Sequence, residues 1–262
     1  MQISSPLERK LLHYTGKAIH VFKLINAGDK VLLCLSGGKD SFALVRAIQL
    51  LHKRTKVEFS YHVLMVDNGI SAWNRDELTA WLAQEKLPFT LLPTNIAEVV
   101  IDKEQPHKSP CVLCSRLRRG YIYTFARQHH YNKIALGHHR DDLIITLLMS
   151  MFYGGKISAM PPKLVTDKGD LTVIRPLIFC QEKDLERYAL EQHFPLSPKG
   201  ICPLNKESQR ERIARLIAEL AAENPKIPSN LLHAAANLVP NHLLDQRFCD
   251  FKHLEDHLTT EK

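Results

Sequence analysis

The sequence lacks the features that mark membrane-spanning and secreted chains. No run of about 18 apolar residues occurs anywhere in it, so we predict no transmembrane helix. Residues 1–10 contain no apolar stretch of the kind that forms the centre of a secretory signal. We therefore expect a cytoplasmic protein without a membrane partner. Since thiols stay reduced in that compartment, the six cysteines are not expected to form a disulfide framework.

Two common nucleotide-binding motifs are also missing. The Gly-x-Gly-x-x-Gly pattern of dinucleotide-binding folds does not occur in the sequence. A Walker A loop has a glycine six residues before its lysine and a serine or threonine directly after it. Relative to Lys39, this chain has Leu33 and Asp40 at those two positions. These absences argue against a dinucleotide-binding protein and against a Walker-type ATPase.

The composition of the chain is that of a soluble globular protein with a basic balance. Apolar residues make up 45% and charged residues 24% of the 262 positions, both ordinary fractions. The length suits one large α/β domain with a smaller appendage, or two small domains. The formal net charge of +7 favours a polyanionic partner, although a basic enzyme without such a partner would have the same charge.

Apolar runs alternate with helix-like segments along the first part of the chain. We predict helices over residues 7–24, 42–51, 74–85, 115–129 and 141–152, and strands over residues 31–35, 61–66, 89–92 and 133–137. Such alternation indicates an α/β fold with a doubly wound, mostly parallel sheet. After Gly155 the pattern changes to a hairpin at 164–174, with helices at 182–193 and 207–223. We expect an α/β domain over residues 1–155 and a small C-terminal extension over residues 156–262.

A loop of six small or polar residues lies where the first predicted strand meets a helix. We name residues 36–41 the phosphate loop; their sequence is Ser36-Gly37-Gly38-Lys39-Asp40-Ser41. The two glycines let the backbone come close to an anion, and the helix N-terminus and Lys39 add positive charge. Both serine hydroxyls can donate hydrogen bonds. A Gly-Gly turn without a ligand is the alternative, but six such residues after a buried strand favour phosphate binding.

Three of the cysteines have the context of metal ligands. Cys111 and Cys114 form a Cys-x-x-Cys pair, and Cys202 lies in a further loop. The other three, Cys34, Cys180 and Cys249, lie among apolar residues and are expected to be structural. Three thiolates suit a [4Fe–4S] cluster with one open iron better than a closed zinc site, which needs four ligands. Zinc with His107 as a further ligand, or a redox pair between Cys111 and Cys114, stays open.

A basic segment follows the Cys-x-x-Cys pair. Residues 105–133 contain lysine and arginine but no aspartate or glutamate. Arg116, Arg118 and Arg119 stand together, and arginine binds phosphate bidentately and stacks on bases. We expect these three arginines to contact RNA or ATP phosphates, with a solvated helix face as the alternative. Tyr121 and Phe125 are expected to belong to the core.

The phosphate loop is the signature of the PP-loop ATPase superfamily, which this chain resembles. The segments Met65-Val66-Asp67-Asn68-Gly69 and Leu136-Gly137-His138-His139-Arg140-Asp141-Asp142 are similar to further superfamily motifs. The resemblance implies that ATP binds with Mg²⁺ and is cleaved between its α and β phosphates. It also implies that Asp67 and Gly137 help to bind the nucleotide, and that Asp141 helps to bind magnesium or to position the activated base. Alone, these aspartates could equally cap a strand end and a helix start.

A more specific resemblance is to the tRNA 2-thiocytidine synthetase family. It rests on Pro110-Cys111-Val112-Leu113-Cys114-Ser115-Arg116-Leu117-Arg118-Arg119-Gly120 and on Pro240-Asn241-His242-Leu243-Leu244-Asp245, and it covers roughly residues 30–251. The family implies adenylation of a tRNA cytidine two positions before the anticodon, followed by replacement of its C2 oxygen with sulfur. It implies a cluster on Cys111, Cys114 and Cys202, and a cysteine desulfurase as sulfur donor. Lys199 stands where many members have a further cysteine.

Lys39, Asp141 and Cys202 are thus the residues expected to carry catalysis. Three alternatives remain open at this point. One is an enzyme that thiolates uridine in tRNA, and another is a PP-loop enzyme that uses a different nucleophile on the adenylated base. The third is a non-catalytic RNA-binding metalloprotein, against which the intact Lys39, Asp40 and Ser41 argue. The sequence allows for a homodimer but does not predict one.

Overall fold

The computed structural model describes residues 5–69, 74–103, 110–198 and 209–254. Helices and strands alternate through most of this range. Their bounds in chain order are α1 (Pro6–Phe22), β1 (Lys30–Leu35), α2 (Lys39–His52), β2 (Ser60–Asp67), α3 (Arg75–Gln84), β3 (Phe89–Pro93), α4 (Ile96–Asp102), α5 (Pro110–Gln128), β4 (Lys133–Ala135), α6 (Arg140–Gly154), β5 (Lys163–Val165), β6 (Thr172–Ile174), α7 (Glu182–Glu191), α8 (Gln209–Glu223) and α9 (Ile227–Ala234).

A single six-stranded sheet organises these elements, in the order β3-β2-β1-β4-β6-β5. β1 is central and pairs in parallel with β2 on one side and with β4 on the other. Val31, Leu32 and Leu33 of β1 are fully buried, as expected for a strand covered on both faces. Among the strands of the described ranges, β5 alone runs antiparallel to its neighbour, β6. The prediction of a doubly wound, mostly parallel sheet is confirmed.

The predicted hairpin of residues 164–174 forms, but it is part of the main sheet. β6 pairs in parallel with β4, with Ile134 opposite Val173. β5 and β6 thus complete the sheet, and the first of two compact units covers residues 1–214. The expected division into domains at residue 155 stays a prediction. The second unit covers residues 215–262. Within it a short 3₁₀ helix at Pro240–His242 precedes Leu244, which is 94% exposed.

Helix α5 begins earlier than the sequence pattern predicted. We expected its start after Cys114, whereas the helix begins at Pro110 and includes both cysteines of the Cys-x-x-Cys pair. Proline is favoured at a first helical position, because its fixed φ suits the helix and its missing N–H would be unpaired there anyway. Helix α4 was not predicted. None of the helices in the described ranges is long and apolar enough to cross a membrane.

Helix α5 packs on the sheet through one apolar face. Ile122, Phe125 and Ala126 are buried against Leu32 and Leu64 of the central strands. Phe125 thus belongs to the core, as predicted. Tyr121 packs at the edge of the same cluster, and its hydroxyl donates to Asn95 Oδ1 at 3.1 Å. This packing fixes the first half of α5 above the carboxyl ends of the strands.

Candidate active site

A cavity of about 630 Å³ opens at the carboxyl ends of the parallel strands. The chain leaves β1 toward β2 on one side and returns to β4 on the other, so the strand order reverses between β1 and β4. Open α/β sheets bind ligands at such a switch point. The cavity is lined by the phosphate loop, the segments after β2, β4 and β6, and one face of α5; its polar lining includes Ser36, Asp40, Ser41, Asp67, Asn68, Ser115, Arg118, Arg119, His138, Asp142, Arg175 and Ser197.

The phosphate loop has the backbone geometry that its sequence predicts. Gly37 has a φ of 82°, a left-handed conformation that glycine adopts without strain. Gly38 is the N-cap of α2 and provides no side-chain cap, so the helix N-terminus keeps backbone N–H groups for an anion. The Ser41 hydroxyl donates to the Gly38 carbonyl at 2.8 Å and accepts from the Ser36 N–H at 3.1 Å. Ser41 therefore closes the loop on itself.

Lys39 lies half-buried at the first position of α2. Its Nζ is 2.9 Å from Glu182 Oε1 and 3.4 Å from Asp40 Oδ2. Burial pushes the pKa of Lys39 down, but the two carboxylates outweigh it and leave the pKa above its ordinary value. Lys39 is therefore a positive charge of the phosphate loop that is paired with protein carboxylates.

Gly137 brings the segment after β4 against the phosphate loop. A Cβ atom at this position would lie 3.0 Å from both the carbonyl carbon and the carbonyl oxygen of Asp40. That is closer than ordinary van der Waals contact, so only glycine fits without a shift of backbone. The absence of a side chain at Gly137 thus allows the segment after β4 to pack against the backbone of the phosphate loop.

Asp67 lies buried at the end of β2. Its carboxylate forms an ion pair with Arg75 and accepts from the Gly69 N–H at 2.9 Å. Burial raises the pKa of Asp67, but these contacts outweigh burial and lower the pKa below its usual value, so the group is ionised. Next to it, the Asn68 side-chain oxygen is buried without a hydrogen-bond partner among the described residues. Both residues line the cavity, so this segment can receive a polar ligand.

Two consecutive aspartates begin α6 and have different surroundings. Asp141 accepts from the Glu182 N–H at 2.8 Å and from Arg140 Nη2 at 2.8 Å, which ties it to the start of α7. Asp142 lines the cavity and pairs with Arg210. Burial raises the pKa of Asp142, but the opposing effects of His139 and Arg210 are larger in sum. The pKa of Asp142 therefore lies below its usual value. Asp141 is one of the predicted site residues, whereas Asp142, which lines the cavity, was not predicted separately.

Sequence reasoning also missed His138 and Arg175. His138 lines the cavity after β4, and burial lowers its pKa to about 4, so the imidazole is neutral near pH 7. Arg175 follows β6 and is only 8% exposed, yet it lines the same cavity. An arginine directly after the apolar run Thr172-Val173-Ile174 was the available signal for it.

The described part of the chain contains two of the three predicted metal ligands. Cys111 and Cys114 lie in the first turn of α5, three positions apart, so both thiols can face one point. Cys111 is exposed and Cys114 half-buried. Cys202 lies outside the described residues, as do Lys199 and His107. The chemistry of the described pair therefore fits a shared metal or cluster, with its third ligand not described.

The remaining cysteines differ in their surroundings. Cys180 is buried, with its sulfur 3.8 Å from Thr15 Oγ1, and burial raises its pKa to about 12. Cys34 packs against the core cluster, as predicted, but it also lines the cavity. Burial raises the pKa of Cys34 to about 12, so it is a neutral thiol. Cys249 is half-buried in the second unit.

The three predicted RNA-contacting arginines lie on α5 with different exposure. Arg118 is half-buried and lines the cavity together with Arg119. Arg116 is exposed. The structure thus brings two of the three to the cavity that the phosphate loop lines.

Comparison with known proteins gives one matching family model and several close relatives. The model described as the PP-loop domain matches residues 4–196. A tRNA-cytidine(32) 2-sulfurtransferase of Legionella pneumophila (strain Paris) is 48% identical over 256 residues, which cover 98% of this chain and 90% of that protein. One of Coxiella burnetii (strain RSA 493 / Nine Mile phase I) is 45% identical over 248 residues, covering 95% and 97%.

Among solved structures, the U34-tRNA thiolase NcsA from Methanococcus maripaludis, with its [4Fe–4S] cluster, has a similar fold. The TM-score is 0.71 at 18% identity, with 88% of this chain and 78% of that chain covered. The fold, the phosphate loop and the domain match define a PP-loop protein. The identity over nearly the full chain is more specific: the chain belongs to the tRNA-cytidine(32) 2-sulfurtransferase family.

Proposed function

We propose that the chain uses ATP to convert cytidine 32 of tRNA into 2-thiocytidine. The observation that carries this proposal is that one cavity is lined both by the phosphate loop and by Ser115, Arg118 and Arg119 of α5. A nucleotide on the first wall would therefore meet a base presented along the second, next to the helix turn that holds Cys111 and Cys114. The bacterial relatives are named for this reaction, which supports the same substrate.

The nucleotide half of the reaction relies on charge that is already in place. The N-terminus of α2 and the ammonium group of Lys39 bind the phosphates, and Mg²⁺ enters with ATP. The C2 oxygen of cytosine attacks the α-phosphorus, the bond between the α-phosphorus and its bridging oxygen breaks, and pyrophosphate leaves. Asp141 is proposed to bind magnesium or to position the activated base, in addition to its contact with the start of α7.

The sulfur half of the reaction relies on the cysteines. Cys111, Cys114 and Cys202 would hold a [4Fe–4S] cluster, which when bound would supply sulfur to the activated base. A cysteine desulfurase is proposed as the source of that sulfur, and an external dithiol or ferredoxin-type reductant would supply the two electrons that bring its persulfide sulfur to the sulfide level. The sulfide then forms a bond to C2 and loses its proton, and AMP leaves with the former C2 oxygen. The chain's own part is to hold the base beside the cysteine turn and to keep water away from the adenylated carbon.

The tRNA would approach along α5. Arg118 and Arg119 line the cavity, while the exposed Arg116 lies on the surface of the same helix. Arginine can bind backbone phosphate and stack on a splayed base of a single-stranded loop. This arrangement favours an anticodon-loop substrate over duplex RNA. We propose that the reaction takes place in the cytoplasm.

The test is an anaerobic purification followed by two assays on the same sample. We expect about four irons and four sulfides per chain, and ATP–pyrophosphate exchange that requires tRNA. Mass spectrometry of nucleosides from tRNA treated with ATP, Mg²⁺ and sodium sulfide should then show 2-thiocytidine. Thiolated uridine instead would identify the other substrate class. Exchange without any thiolated base would indicate another nucleophile, and absence of exchange would refute the enzyme assignment.

A further inference from the structure

Arg175 is a buried cation of the cavity for which the described residues provide no ion pair. It directly follows β6 and is 8% exposed. Its Nη1 donates to the Pro161 carbonyl at 2.6 Å, and its Nε has no partner among the described residues. Burial lowers the pKa of Arg175, but a guanidinium stays protonated in a protein. A buried charge with so few partners is costly, so a ligand that supplies an anion would stabilise it.

The carboxylates of the cavity are already matched by other cations. Asp67 pairs with Arg75, Asp40 lies 3.4 Å from Lys39, and Asp142 pairs with Arg210. Tyr123 and Asp142 also favour the charged form of Arg175, but no described carboxylate forms an ion pair with it. The positive charge of Arg175 is therefore not neutralised by any carboxylate among the described residues that line the cavity.

The sheet places Arg175 on the opposite side of the phosphate loop from Asp67. The strand order runs β2-β1-β4-β6, so the cavity floor has Asp67, the phosphate loop, His138 and Arg175 in that sequence. Adjacent strands lie about 4.8 Å apart, so the end of β6 is about 10 Å from the end of β1. At that distance, Arg175 can contact a part of a bound ligand that lies outside the reach of the phosphate loop.

We propose that Arg175 binds a phosphate oxygen of the bound substrates. This inference rests on the proposed function, because it assigns a binding residue to the same cavity. The shared chemistry is a phosphate oxyanion, which guanidinium binds with a charge-assisted, often bidentate, hydrogen bond. That oxygen belongs either to the triphosphate of ATP or to the tRNA backbone next to the target base.

The experiment compares Arg175→Met and Arg175→Lys with the wild-type full chain. Methionine keeps much of the unbranched stem without charge, and lysine keeps the charge without the planar fork. The probes are a non-hydrolysable ATP analogue with Mg²⁺ and an unmodified tRNA transcript, each titrated separately. Lys168→Met removes the same charge from an exposed hairpin turn and serves as the matched control. Thermal unfolding of each variant confirms that the fold is intact.

We expect Arg175→Met to weaken binding of one probe at least tenfold and to leave binding of the other probe within about twofold of wild type. For the affected probe, the affinity of Arg175→Lys should lie between those of wild type and Arg175→Met. Loss of analogue affinity assigns the triphosphate. Loss of tRNA affinity, with a salt slope reduced by about one, assigns the RNA backbone.

If wild type binds both probes and Arg175→Met binds each of them as tightly as wild type does, this inference alone is refuted. If wild type binds neither, the proposed function fails with it. Should Arg175→Met not fold, full affinity of Arg175→Lys for both probes would refute the need for the guanidinium fork.

Discussion

Lys39 and Glu182 form an ion pair between the start of α2 and the start of α7, with 2.9 Å between Nζ and Oε1. Asp141 accepts from the N–H of the same glutamate, so the first turn of α7 is held against the phosphate loop. Lys39 is the residue expected to bind ATP phosphates. Its charge is paired with the Glu182 carboxylate, with which the phosphates of ATP would compete.

The first prediction concerns this competition. Glu182→Gln should raise the affinity for an ATP analogue by about two- to fivefold, because a partly exposed ion pair is worth at most about 1 kcal/mol. Isothermal titration of the analogue with Mg²⁺ measures the change. Glu191→Gln, at the other end of α7, removes the same charge and should leave the affinity unchanged. An unchanged affinity in Glu182→Gln would show that Lys39 does not leave Glu182 when nucleotide binds.

The second prediction uses two glycines with opposite surroundings. Gly137→Ala should destabilise the fold by about 1–3 kcal/mol and weaken analogue binding, because its Cβ would meet Asp40 backbone at 3.0 Å. In Gly120→Ala, on α5, the new methyl meets nothing within 4 Å. Alanine there should stabilise the helix by roughly 0.5–1 kcal/mol and leave binding intact. Urea unfolding and titration of both variants provide the comparison; equal behaviour would contradict the packing role of Gly137.

The sequence predicted the part of the site that depends on local pattern. Val31 to Leu35 could be identified as a buried strand because the run is apolar throughout, and the phosphate loop follows it directly. The start of β4 and Gly137 could be placed in the same way. Since parallel strands share one carboxyl edge, the convergence of these loops followed from the α/β pattern alone.

The parts that could not be predicted depend on pairings between distant residues. Lys39 and Glu182 are separated by 143 positions, and no local pattern indicates that α7 ends up beside the loop. Arg175 looked like an ordinary residue after a strand, because burial against Pro161 and Pro162 depends on how β5 pairs with β6. Asp141 and Asp142 are adjacent in sequence, and only the helix orientation decides which of them lines the cavity.

The third prediction separates the two half-reactions. Cys111→Ser and Cys114→Ser should lose bound iron and tRNA thiolation, yet keep tRNA-dependent ATP–pyrophosphate exchange within about threefold, because adenylation needs no thiolate. Iron analysis, nucleoside mass spectrometry and exchange are measured on the same preparations. Cys249→Ser, in the second unit, is the control and should keep all three properties. Full thiolation by Cys114→Ser would remove the cysteine pair from the mechanism.

The fourth prediction follows from the neutral imidazole of His138. Burial lowers the pKa of His138 to about 4, Arg175, Arg210 and His139 lower it too, and Asp142 opposes the shift. The pKa of a histidine in an unfolded chain is about 6.5. Below that pH the imidazole is protonated in the unfolded chain but stays neutral in the folded chain. This residue therefore lowers the free energy of unfolding as the pH falls from about 6.5 to about 4, by up to about 1.4 kcal/mol per pH unit.

His138→Asn should flatten that part of the profile, because asparagine does not titrate. Urea unfolding of wild type and variant at pH 7, 6 and 5 measures how the free energy of unfolding of each protein depends on pH. The difference between the two slopes removes the contribution of carboxylates that titrate in both proteins. His20→Asn, at an exposed histidine of α1, is the control that measures the effect of the same substitution outside the cavity. The same slope in His138→Asn and wild type would mean that the imidazole is as easily protonated in the folded chain as in the unfolded one. The cavity floor would then be positively charged at pH 6, and the affinity for a phosphate ligand should rise between pH 7 and 6 rather than stay level.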